Sequence, residues 1–164
     1  MTERRNPDSP SSWRIAELPW DHPDSRRLRH AQRAEITEIR GLDREWEPGP
    51  AVTATDIALT LVAHDAAGEA IACASLRDHG HGFAELKRMD VCPDQRGSGV
   101  AVALLGAIER EAAARGWTTI RIQSDERLQS ALRFYIREGY GPVAAFEPYR
   151  ESPGICFLGK RLVP

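Results

Sequence analysis

Cysteine is scarce in this chain of 164 residues: Cys73, Cys92 and Cys156 are widely separated, odd in number and free of C-x-x-C spacing. That pattern fits reduced thiols in a cytoplasmic protein better than a disulfide framework or a cysteine zinc site. Long apolar runs are missing too. None approaches the ~18 residues that a membrane-spanning helix needs, so no membrane partner is expected. An excess of charge of one sign is also absent. Lys and Arg number 22 against 24 Asp and Glu, a net charge of −2, which argues against a nucleic-acid binder, whose footprint is basic. The five histidines form no H-E-x-x-H pattern, and no metal is expected. Arg4-Arg5 is followed by Asn-Pro-Asp-Ser-Pro where an export signal would carry an apolar segment.

What is present is an ordinary globular composition, 41% hydrophobic and 28% charged. Residues 1–12 are rich in Pro, Ser and charge and are expected to be disordered; residues 13–164 are expected to form one domain. Trp13 to Leu18 alternates as a strand, and Ser25 to Arg40 reads as a helix stopped by Gly41. A meander follows in three strands, Ile57–His64, Ala70–Leu76 and Phe83–Cys92, joined by Gly-containing turns. In the third, Leu86 falls on the opposite parity from Met89 and Val91, which points to a bulge or to a strand occupied on both faces. Ser98 to Arg115 carries one apolar stripe, Val100, Leu104, Leu105, Ile108 and Ala112. A strand at Thr118–Gln123, a helix at Leu128–Glu138 and strands at Gly141–Phe146 and Cys156–Leu162 complete the α/β pattern.

The segment with chemistry in it is Arg96-Gly97-Ser98-Gly99-Val100-Ala101, a glycine turn between a strand and a helix. Unpaired backbone N–H groups and the helix dipole favour an anion there, and glycines admit a bulky phosphate. G-x-x-x-x-G-K-[ST] is absent, as is G-x-G-x-x-G, so neither a triphosphate P-loop nor a dinucleotide turn is present. A bare helix cap would account for two glycines equally well.

Two spaced motifs add weight to the ligand reading. Arg96 to Ala101 resembles the [RQ]-x-x-G-x-[GA] signature of the GNAT superfamily of acyl-CoA-dependent N-acetyltransferases. Ala131-x-x-x-Tyr135-x-x-x-Gly139-Tyr140 resembles its second signature, one helix and one strand downstream. The element order from Trp13 onward is similar to that of the family's small single-domain branch. The resemblance implies a mixed, mostly antiparallel sheet flanked by helices and splayed between the fourth and fifth strands. It also implies acetyl-CoA as co-substrate and a small-molecule amine as acceptor, and it leaves a homodimer open.

By the same resemblance, Arg96, Gly97, Ser98, Gly99, Val100 and Ala101 would hold the pyrophosphate. The backbone of Met89, Asp90 and Val91 would pair with the pantetheine arm. Tyr135 would stabilise or protonate the departing thiolate, with a core tyrosine as the alternative. Glu85 stands at the offset from Val91 where several branches keep a catalytic glutamate; a salt bridge to Lys87 or to an adjacent strand explains it as well. Glu35, Arg88 and Tyr149 are candidates for the acceptor side, Arg88 as a clamp for a carboxylate. Two positions depart from the family. Leu128 stands where an Asn or Gln usually helps hold the pantetheine, with Gln129 one residue late, and Ala74-Ser75 replaces a usual Gly-Gly. A non-catalytic acyl-CoA-binding or regulatory domain therefore stays open beside the enzyme, as does a peptide or protein amine as acceptor.

Overall fold

The computed structural model describes residues 13–163, so the disorder expected for residues 1–12 lies outside the described residues. In chain order the elements are β1 (Arg14–Glu17), α1 (Pro23–Ile39), β2 (Ile57–His64), β3 (Ala70–Asp78), β4 (Phe83–Val91), α2 (Val100–Ala114), β5 (Thr119–Asp125), α3 (Gln129–Arg137), β6 (Gly141–Pro142) and β7 (Ile155–Arg161). The strands form one sheet in the order β1-β2-β3-β4-β5-β7-β6. Every neighbouring pair is antiparallel except β4 and β5. This is the mixed, mostly antiparallel α/β architecture expected from the sequence.

Strand periodicity divides the core between two faces. Ala72, Ala74 and Leu76 of β3 pack with Leu104, Leu105 and Ile108 of α2, whereas Cys73 packs with Leu28 of α1 and Val62 of β2. The two helices therefore cover opposite faces of the meander. All five residues of the expected α2 stripe are buried, each contributing about 1.5–3 kcal/mol for the larger aliphatics. Gly99, at φ 94°, begins the helix from the left-handed region that a side chain disfavours. On α1 only Ser25 and Leu28 are buried. Its start is fixed instead by Pro23 in the first turn and by the His22 ring, which accepts a 3.2 Å hydrogen bond from the Asp24 N–H.

Two expectations need correction. The strand expected over residues 141–146 is only Gly141–Pro142. Pro142 has no N–H to donate, and past Val143, whose N–H reaches the Phe157 carbonyl, the chain leaves the sheet. On α3 the sequence suggests an apolar side of Leu128, Ala131, Leu132, Tyr135 and Ile136, but Ile136 is 59% exposed. Phe134 packs against the core in its place, beside Ala131, Leu132 and the buried Tyr135.

Candidate active site

Two irregularities in β4 shape the site. The first is a bulge. Cys73 pairs with Asp90 and Ser75 with Lys87, so one extra residue of β4 stands opposite Ala74. Arg88 takes up the irregularity at φ 57°, a left-handed conformation costly for a long side chain. Without the slip, Leu86 and Val91 would face opposite sides of the sheet; with it, both join the α2 core. The parity break in the sequence is thus a bulge.

The second is a splay. β4 and β5 pair only at Phe83–Thr119, Ala84–Ile120 and Glu85–Arg121. Beyond that point β4 continues with β3 as far as Val91, while β5 follows β7 as far as Asp125. The β4 edge from Leu86 to Val91 is left open toward β5. At its end lies the glycine loop, where the N–H groups of Gly97, Gly99, Ala101 and Val102 find no carbonyl partner among the described residues. The Val100 N–H has only a 3.4 Å contact to the Ser98 hydroxyl. An open strand edge running into unpaired helix N–H groups suits an extended amide-bearing chain that ends in phosphates.

Arg96 is held across this loop by both carboxylate oxygens of Glu35, at 2.8 and 2.7 Å, and by the Val91 carbonyl at 3.0 Å. Glu35, a candidate for the acceptor side, is therefore a tether between α1 and the loop. That pairing, against the opposing effect of burial, holds its carboxyl below the ordinary range. Asp90 lies 3.5 Å from the Arg96 guanidinium. Burial, only partly opposed by Arg96 and reinforced by Glu35, pushes its carboxyl up to about 6. The Met89 carbonyl accepts a 2.7 Å bond from Gln32 on α1, a contact the sequence did not reveal.

Glu85 faces the α1 side and is fully buried. Its Oε2 accepts from Arg77 Nη2 at 2.8 Å and from His79 Nε2 at 2.6 Å, and its Oε1 accepts from the Tyr149 hydroxyl at 2.5 Å. An ionised carboxylate can only accept, so His79 carries its proton on Nε2. Lys87 and Arg77 each donate to the Tyr149 hydroxyl at 2.8 Å. Burial would raise the Glu85 pKa, but the His79 bond, the Lys87 charge, the Tyr149 bond and the Arg77 charge override it and bring the carboxyl to about 2. A carboxylate so well satisfied, with no exposed surface, is a poor proton acceptor near neutral pH. The salt-bridge alternative describes its surroundings. Tyr149, placed on the acceptor side by the sequence reading, caps this cluster.

Tyr135 lies on α3 against the core, 7% exposed. Burial and the nearby Asp90 charge raise its pKa. Leu128 forms the N-cap of α3, and the exposed Gln129 donates its amide to the Glu126 carbonyl beside it. No amide side chain thus replaces the one missing at position 128.

On the α1 side of the bulge a recess of about 220 Å³ is lined by Trp20, by Arg26, Arg29, His30 and Arg33 of α1, by Glu45 and Glu47, and by Arg88. The Arg88 guanidinium pairs with Glu47 at 2.7 Å, and Arg33 stands 3.7 Å from the same carboxylate. Arg88 therefore points into a concave, charged space adjoining the open strand edge. Among the described residues no group of three or more His, Cys, Asp or Glu could hold a metal ion, and no helix is long and apolar enough to cross a membrane.

A bulged fourth strand splayed from a parallel fifth, ending in a glycine turn, is shared with known proteins. The pattern described as Acetyltransferase (GNAT) domain matches residues 56–142, more than half of the chain. The chain belongs to the GNAT acetyltransferase family. An acyl-CoA N-acyltransferase candidate from Klebsiella pneumoniae superposes with a TM-score of 0.81 at 26% identity, over 94% of this chain and 100% of that one. A GNAT family acetyltransferase from Elizabethkingia anophelis, solved with acetyl-CoA bound, shares the fold at a TM-score of 0.66 and 15% identity, over 93% and 99% of the two chains. An IAA acetyltransferase from Azospirillum brasilense is 30% identical over 96 residues, 58% of this chain and 63% of that protein. The match thus spans under two thirds of the relative's length.

Proposed function

We propose that this GNAT protein transfers an acetyl group from acetyl-CoA to a primary amine of a small-molecule or amino-acid-like acceptor, by direct attack in a ternary complex. The observation that carries the reading is the open β4 edge from Leu86 to Val91 leading to the unpaired N–H groups of the Arg96–Ala101 loop. These groups fit the coenzyme: Gly97, Gly99, Ala101 and Val102 would hold its pyrophosphate, and Met89 to Val91 its pantetheine arm. Acetyl-CoA supplies a thioester whose C–S bond breaks as the amine nitrogen bonds to the carbonyl carbon. The amine loses a proton and the thiolate gains one, giving an amide and free coenzyme A.

The residues of this chain manage those protons. An alkyl ammonium near pKa ~10 is only about 0.1% neutral at pH 7. With Glu85 held at about 2, we assign it to positioning Tyr149, Arg77 and Lys87, and deprotonation to water helped by the surrounding cations. A guanidinium about 6 Å from the amine, at an effective dielectric of ~20, disfavours the ammonium by roughly 3 kcal/mol, or about 2 pKa units. Arg88 and Lys87 provide that positive field on the α1 side, with Glu47 opposing it. Tyr135, whose hydroxyl has no hydrogen-bond partner among the described residues, is free to donate to the developing thiolate.

A second reading, an acyl-CoA-binding domain without turnover, draws on Leu128, which leaves the N-cap position of α3 without a side-chain amide. Calorimetric titration with acetyl-CoA, followed by thiol release across a panel of amines, separates the two. Binding with turnover is expected. Binding without turnover of any amine selects the second reading, and absence of binding overturns both.

A further inference from the structure

The recess beside Arg88 has an imbalance of charge that its own residues do not resolve. Arg33 and Arg88 share Glu47, at 3.7 and 2.7 Å, and Glu45 lies 3.7 Å from Arg33. Arg29 makes no carboxylate contact within 4 Å among the described residues. Its guanidinium donates to the Trp20 carbonyl and lies over the Trp20 indole, 3.5 Å from the ring centre. Four arginines, Arg26 at the exposed rim among them, thus converge on a space that holds two carboxylates, both already engaged with Arg33 and Arg88. Burial first, and then the positive charge of Arg88, lowers the pKa of both Arg29 and Arg33. Like charges gathered in a half-buried recess cost stability unless something there rewards them. The backbone repeats the signal, because Arg88 reaches the recess from a left-handed φ of 57° at the bulge.

We infer that this recess is the anion subsite of the acceptor, so that the acceptor carries a carboxylate as well as its amine, with Arg29 as the main recognition residue and Arg88 beside it. The inference rests on the acetyl-transfer reading above and names its substrate class. A planar carboxylate matches the guanidinium fork, which presents two parallel N–H donors. The volume of about 220 Å³, roughly seven waters at their liquid volume, suits a group of amino-acid size and not a nucleotide. Trp20 offers an aromatic wall to the body of the molecule. The bulge joins the recess to the open β4 edge, since Arg88 lines the first and is followed at once by Met89 of the second. An acceptor anchored by its carboxylate therefore has its amine presented toward the strand that would hold the thioester.

The test separates recognition from turnover by using product-like probes. The N-acetyl derivatives of the common amino acids and their C-terminal amides are titrated calorimetrically into the full chain in the presence of coenzyme A. At least one acid is expected to bind tenfold or more tightly than its amide. In Arg29→Gln that preference should fall to about twofold or less while coenzyme A affinity stays unchanged. Arg29→Lys, which keeps the charge and loses the fork, should fall between the two; each variant is first checked for an unaltered unfolding midpoint. Equal affinity for acid and amide, no binding of any acid, or a preference that survives in Arg29→Gln would overturn the inference. Thiol release from acetyl-CoA with the free amines is read separately. Turnover without carboxylate preference sinks the subsite and leaves the enzyme standing, whereas failure to bind coenzyme A sinks the reading on which it rests.

Discussion

Glu85→Gln tests whether the carboxylate is an anchor or a base. The structure gives it three hydrogen-bond donors within 2.8 Å, from Arg77, His79 and Tyr149, and no exposure to solvent. Its pKa lies at about 2 against an ordinary 4.5. That difference of about 2.5 units corresponds to roughly 3 kcal/mol of folding stability at neutral pH. Removing one member of a buried charge cluster typically costs about 3–5 kcal/mol, because the partners stay buried without it. For a chain of this length the unfolding midpoint should fall by about 10 °C. The folded-state pKa is depressed, so the contribution is complete above pH 4.5 and disappears as pH falls through about 2. At pH 3 only about 1.4 kcal/mol should remain. Urea unfolding of both proteins at pH 7, 5 and 3, followed by tryptophan fluorescence, should show the gap between them narrowing. A gap below about 0.5 kcal/mol at pH 7, or one that does not change with pH, would refute the anchor. In the folded variant, thiol release should be reduced in parallel at every pH. A loss that recovers as pH rises would restore Glu85 as the base.

Tyr135→Phe keeps the ring packing and should leave stability within about 1 kcal/mol while lowering kcat about ten- to a thousandfold with little change in KM for acetyl-CoA; full activity with a true acceptor would make the hydroxyl structural. Gly99→Glu places a negative charge where phosphate should sit, and calorimetry should show acetyl-CoA affinity falling at least tenfold, about 1.4 kcal/mol. Because Gly99 has φ +94° and an added Cβ would lie 3.4 Å from the Trp13 ring, Gly99→Ala serves as the control for strain, and equal losses in the two would discredit the anion site. For Asp90 the folded-state pKa is raised to about 6 from 3.8. Stability should therefore decline between about pH 4 and 6, by up to about 3 kcal/mol, and stay level above. Asp90→Asn should flatten that decline in urea titrations, and an unchanged pH slope in the variant would show that another group causes it.

Elements set by local chemistry were legible in the sequence. The α2 stripe from Val100 to Ala112 and the turn glycines needed only neighbours within a helical turn, and the parity break at Leu86 narrowed β4 to a bulge or a strand occupied on both faces, of which the structure has the bulge. Elements decided by tertiary competition were not. Ile136 and Phe134 lie two positions apart on a short helix, and only the core packed against that helix determines which of them is covered. Pro142 could open a strand but could not carry it across to Phe146, because the partner edge on β7 ends in an aromatic cluster of Phe146, Tyr149 and Phe157 that draws the loop over the sheet.

The candidate site divides along the same line. The glycine loop is contiguous, so its residues could be singled out together in the sequence, and the resemblance of its motif to the GNAT signature gave it a ligand. The proposed acceptor side draws on Trp20 and Arg29 on the approach to α1 and within it, Glu47 beyond its end, Arg88 on β4 and Tyr149 from the β6–β7 loop. Gly49 and Tyr149 lie so close that a Cβ on the glycine would approach the ring to 3.1 Å. No spacing rule joins residues so far apart, and each of the arginines has an ordinary solvated reading when taken singly. Their meaning comes from proximity: Arg33 and Arg88 use the same carboxylate, while Arg29 is left with a carbonyl and an indole. The same proximity recasts Glu85. In sequence it is a carboxylate six residues before the end of β4, a position open to either role. In space it meets Arg77, His79 and Tyr149, and those donors leave it little capacity to take up another proton.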